Sequence, residues 1–115
     1  MRRVYLILAL LVVLLGLFHT ASTPRFFDEL SSRAIWFASG GLLLILAGIL
    51  NLLNRSYGAN AHGVRWATIA TNMIMTVFAA LAGTAGAASG AQLAAIVGLM
   101  AATTLVSMLP RAVSV

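Results

Sequence analysis

The sequence predicts an all-α fold: an integral membrane bundle of four transmembrane helices, with a short interfacial segment between helices 1 and 2. Three observations predict it. Of the 115 residues, 62% are hydrophobic and only 8% are charged, whereas a soluble domain carries about 25% charged residues. The apolar residues fall into four runs, each near the roughly 20 residues that cross a bilayer. The few charged residues fall between those runs.

The whole chain, 1–115, reads as a single transmembrane domain with spans at about 4–19, 34–53, 66–82 and 91–109. The first apolar run follows the pair Arg2–Arg3. It resembles a secretory leader in having a basic start and an apolar core, but His19 is too bulky for the small-residue cleavage rule, so a retained helix is expected. Thr23 can cap, and Pro24 suits a first helical position. A short amphipathic helix is therefore expected over Pro24–Ser31, with Phe26, Phe27 and Leu30 on one side and Arg25, Asp28 and Glu29 on the other, lying in the membrane interface. At helical spacing, Glu29 would pair with Arg25 and Arg33.

The second span runs from Ala34 to Leu53 and the third from Trp66 to Ala82. Between them Asn54–Arg65 is polar and contains glycine, and reads as a loop. The small, uncharged stretch Gly83–Gly90 reads as a turn. The fourth span, from Ala91 to Leu109, stops at Pro110.

All seven basic residues are arginine, Asp28 and Glu29 are the only acids, and the net charge is +5. In a soluble chain this balance would suggest nucleic acid. Here the arginines are scattered between apolar runs, so no nucleic-acid partner is expected. They point instead to topology and to a lipid bilayer with anionic headgroups. Four spans put Arg2, Arg3, Arg55, Arg65 and Arg111 on one side and Arg25 and Arg33 on the other. The positive-inside rule then places both termini in the cytoplasm, in what reads as a bacterial inner membrane. Tyr5, Trp36 and Trp66 fall near span ends, as an interfacial aromatic belt requires. The chain has no cysteine, which removes disulfide and thiolate chemistry.

Helices in lipid associate through close backbone approach and interhelical hydrogen bonds. Ala34, Gly41 and Gly48 recur every seven residues in the second span. Ala94, Gly98 and Ala102 form a small-residue row in the fourth, and Thr68, Asn72, Thr76 and Ala80 form a row at spacing four in the third. These rows are expected to face other helices, of this chain or of a partner.

Asn72 lies mid-span, where an unpaired amide is costly. With Thr68, Thr76 and Asn51 it marks a polar pathway or a polar packing site. Asn51 and Asn54 could line a vestibule or simply end a helix. His19, beside Thr20, is a candidate interfacial site that could shuttle a proton or ligate a metal or haem, although an interfacial imidazole bonded to a loop carbonyl also explains it. His62, the other histidine, is expected on the opposite side. Thr103, Thr104 and Ser107 are expected to bond back to their own helix.

No nucleophile–base pair, phosphate-binding glycine loop or zinc motif occurs, and no cofactor is predicted. Length and span count match small multidrug-resistance transporters, but their first span needs an acidic residue and Val4–Phe18 has none. Small fluoride channels share the span count, not the arginine-containing motif or the balanced charge. The expected function is non-enzymatic: a small membrane protein acting through helix–helix contacts, as a homo-oligomer or an accessory subunit of a membrane complex. The alternative is a small oligomeric transporter or channel for a solute or ion, with a polar path near Asn72.

Overall fold

The computed structural model describes residues 1–86 and 89–113. The described residues are helical, with no strand, in the order α1 (Arg2–Ala21), α2 (Thr23–Phe26), α3 (Ser32–Tyr57), α4 (His62–Thr84), α5 (Gly90–Met108) and α6 (Pro110–Val113). Helices α1, α3, α4 and α5 are long and apolar enough to cross a membrane. They form an up-and-down bundle in which α1 packs along α3, α3 against α4, α4 along α5 and α5 back against α1. The molecule measures 47 × 23 × 22 Å.

Local chemistry sets where each helix stops. At the end of α1 the hydroxyls of Ser22 and Thr23 donate to the carbonyls of His19 and Thr20, each at 2.8 Å. These are two of the carbonyls that a helix end leaves without an internal partner. Helix α2 is shorter than expected, ending at Phe26 rather than Ser31, with Phe27 extended (φ −136°, ψ 124°). Two demands break it. Ser31 must itself be extended to cap α3, its side chain accepting from the Ala34 N–H at 3.2 Å. Phe26 and Phe27 also both reach the Phe37 ring, at centroid distances of 5.6 and 5.5 Å. Consecutive residues on one helix point about 100° apart and could not share that target. With Glu29 outside any helix, the helical spacing that was to pair it with Arg25 and Arg33 is absent.

The polar stretch 54–65 is mostly helix, not loop. Helix α3 runs on to Tyr57 and α4 starts at His62, leaving only residues 58–61 between them. Polarity does not break a helix when its side chains find partners. Asn54 and Arg55 both reach across to α1, and the Gly58 and Ala61 N–H groups close the last turns onto Asn54 and Tyr57. Helix α4 likewise extends to Thr84, and the turn after it, from Ala85, places Gly86 in the left-handed region (φ 76°) that glycine accepts without a Cβ clash. Two of the eight residues read as a turn, 87 and 88, lie outside the described residues. Ser89 and Gln92 form a reciprocal capping box that opens α5. Leu109 is extended, as the residue before a proline prefers. Helix α6 then folds back so that Ala112 and Val113 are buried beside Tyr5.

Between the helices, Val12, Leu44, Ala47, Met75 and Met100 form a thin apolar core. The outside is as apolar as the inside: Leu14, Leu46, Ile74, Phe78, Leu81 and Leu105 are each more than half exposed. A bundle with an aqueous surround would carry charge at such positions.

The α1–α3 seam is the closest contact. A Cβ at Gly16 would lie 2.6 Å from the Gly41 carbonyl oxygen and 2.7 Å from the Ile45 nitrogen, and one at Gly41 would strike Thr20 and the Gly16 carbonyl. The row Ala34–Gly41–Gly48 is buried throughout, as expected of a helix-contact face.

Candidate functional site

Four polar side chains meet inside the bundle. Asn51 and Asn72, from α3 and α4, exchange both ends of their amides: each Nδ2 donates to the other's Oδ1 at 2.8 Å. Asn51 Nδ2 also donates to the Ala47 carbonyl at 2.7 Å. From α1, the Tyr5 hydroxyl donates to Asn51 Oδ1 at 2.6 Å and accepts from Asn54 Nδ2 at 2.9 Å. All four residues are fully buried. Such groups in an apolar surround are tolerable only when paired, and this chain of bonds pairs all of them except one atom. Asn54 Oδ1 has no partner among the described residues. It lies over Gly58, where an added Cβ would collide with it.

The hydroxyls around this cluster are bonded back along their helices, and Thr68 also reaches the Leu50 carbonyl of α3 at 3.3 Å. Thr68 donates to Val64, Thr76 to Asn72, Thr103 to Leu99 and Thr104 to Met100, each at 2.7 Å. Ser107 donates to Thr104 at 2.7 Å. Thr76 and Thr104 also meet across α4 and α5, with their oxygens 3.3 Å apart. Thus Thr68, Asn72 and Thr76 do line one inward face with Asn51, whereas Ala80, the fourth member of that row, is exposed. A solute passing through this face would have to separate the Asn51–Asn72 pair.

Sequence reasoning places Tyr5 in an aromatic belt, and reads Asn54 as the start of a loop that could line a vestibule with Asn51 or simply end a helix. Both are buried members of the network. The available signal was the row Tyr5, Ala9, Val12 and Gly16: its spacing of three to four with two small residues marks a packed face. Trp36 and Trp66 are exposed, as belt residues are.

His19 sits at the other end of the bundle. Its ring stacks on Phe37 at 4.1 Å, and its Nε2 lies 2.9 Å from the Phe37 carbonyl oxygen. The expected backbone carbonyl is present, on α3 rather than on a loop. His62 opens α4 at the opposite end. Among the described residues no three His, Asp or Glu side chains come together in a way that could hold a metal ion.

The row on α5 behaves differently from those on α3 and α4. Ala94 and Gly98 are exposed. With Ala80, Thr84, Gly90 and Leu93 they line a shallow open groove of about 390 Å³ between α4 and α5. A Cβ at Gly98 would meet nothing within 4 Å. Gly16 on α1 and Gly41 and Gly48 on α3 are required by the chain's own packing, and Gly98 is not.

Comparison with known proteins gives no match to a protein-family model, a curated protein or a solved structure.

Proposed function

We propose that this chain is a small, non-enzymatic integral membrane protein that acts through helix–helix contacts, as a homo-oligomer or as an accessory subunit of a membrane complex. The observation that carries the reading is the unfilled small-residue groove. Gly98 and Ala94 keep this face of α5 shallow although, among the described residues, nothing lies within 4 Å of a Cβ at Gly98. Close backbone approach is what drives helix association in lipid, where burying apolar surface gains nothing. The interior is consistent with this role, since its polar side chains, Asn54 Oδ1 apart, bond to one another or to helix backbone.

The arginines at the α1/α6 end fit a cytoplasmic placement of both termini in a bacterial inner membrane, with anionic headgroups beside them.

The test is extraction in mild detergent followed by cross-linking and sizing. The native chain is expected to run larger than a monomer, or with a copurifying membrane protein, and Gly98→Leu is expected to disperse that assembly with the bundle intact. A native chain that stays monomeric without a partner overturns the reading. A liposome flux abolished by Asn72→Leu, with folding intact, would favour the transporter instead.

A further inference from the structure

Arg2 and Arg55 are bound to each other's backbones. Arg2 Nη1 donates to the Arg55 carbonyl at 2.9 Å, and Arg55 Nε donates to the Arg2 carbonyl at 2.9 Å. The first turn of α1 and the last turns of α3 are thereby tied together, and two half-buried guanidinium groups are held at one corner of the bundle. Bringing like charges together is unfavourable unless something offsets it. The negative end of the α3 dipole offsets part of the charge. No side-chain carboxylate offsets the rest: Asp28 and Glu29 are the chain's only acids, and they precede α3, at the opposite end of the bundle. Arg3 and Arg111, both exposed, add to the positive charge at this end.

Each guanidinium has five N–H donors, and each spends one on the reciprocal bonds. The donors left over sit on a rigid, forked frame, the geometry that binds phosphate oxygens two at a time. We propose that the Arg2–Arg55 corner is a binding site for the phosphodiester of an anionic glycerophospholipid headgroup, with the acyl chains running down the exposed apolar outside of α1 and α3. Leu10, Leu14, Leu42 and Leu46 provide that outer surface, each at least 44% exposed. The proposal rests on the membrane placement above, and it goes beyond it in assigning the headgroup to one pair of side chains rather than to the overall charge.

The experiment starts from the membrane fraction, so that failure to recover the chain there counts against the placement and not against the site. Protein purified in a non-ionic detergent is titrated with phosphatidylglycerol, and retained lipid is read by native mass spectrometry. Phosphatidylcholine and inorganic phosphate serve as separate probes. Phosphatidylglycerol is expected to be retained and phosphatidylcholine not.

The double variant Arg2→Gln/Arg55→Gln is expected to bind about 30-fold more weakly, the loss for two arginines near an anionic surface. Arg2→Lys/Arg55→Lys keeps the net charge and removes the fork, and is expected to lose about fivefold. The Arg25→Gln/Arg33→Gln pair at the other end should bind as the native chain does. Equal binding by the native chain and the lysine variant, with both folded by circular dichroism, overturns the site in favour of diffuse surface charge. Competition by millimolar inorganic phosphate overturns the lipid in favour of a soluble phosphate.

Discussion

Within the polar network, the bonds rank the residues. Removing Asn72 leaves Asn51 with Tyr5 and Ala47 as partners, so little is stranded. Removing Asn51 strands both ends of the Asn72 amide and the Tyr5 proton together. Hydrogen bonds between membrane helices contribute about 0.6 kcal/mol each on average, while a stranded buried group costs about 1–3 kcal/mol. Asn51→Leu is therefore expected to destabilise by about 2–3 kcal/mol, and Asn72→Leu and Tyr5→Phe by about 1 kcal/mol each. Unfolding in mixed detergent micelles measures the order, and a larger loss at Asn72 than at Asn51 would contradict the bonding described. Asn72 stood out in the sequence because it is polar and far from either end of its apolar run, and its direct partner Asn51 was named with it. The outer members of the network, Tyr5 and Asn54, were not grouped with them, because they lie near the ends of apolar runs, where polar atoms need no internal partner. A burial that depends on α3 continuing to Tyr57 is invisible until the helix is known to continue.

Glycine serves two different purposes on different helices. Gly41→Leu would push α1 off α3, since its Cβ already meets Thr20 and the Gly16 backbone. A loss of about 1–3 kcal/mol is expected, the usual cost of overpacking. A Cβ at Gly98 meets nothing within 4 Å among the described residues, and the unfolding free energy of Gly98→Leu is expected to stay within about 0.5 kcal/mol of native. The two substitutions are compared under one unfolding protocol; equal losses would mean that α5 packs elsewhere than described. The four long helices were legible from hydropathy, to within two residues at Ser32, Ala21, Gly90 and Met108. The polar connection at 54–65 was not, because hydropathy records where a helix leaves lipid and carries no information about where its backbone bonds end. Helix α2 was overextended for the opposite reason: its amphipathic pattern suits a helix, but the Ser31 cap and the shared Phe37 ring require extended backbone.

The whole molecule is polarised, with five of the seven arginines at the α1/α6 end and the other two beside the two acids at the opposite end. Because the chain has no cysteine, single cysteines report orientation without background. Ser31 and Ser56 are both exposed and lie at opposite ends. In intact cells a membrane-impermeant maleimide is expected to label Ser31→Cys and to spare Ser56→Cys until the cells are opened; the reverse pattern would invert the proposed topology. The same polarity gives the molecule a built-in optical gauge. Trp36 and Trp66 are its only tryptophans, both facing outward and each five residues into antiparallel helices. At 1.5 Å per residue they stand about 26 Å apart along the bundle axis. Brominated lipids that quench at a known depth can read each indole in turn in single-tryptophan variants. The emission of this one chain thus reports the thickness of whatever bilayer holds it.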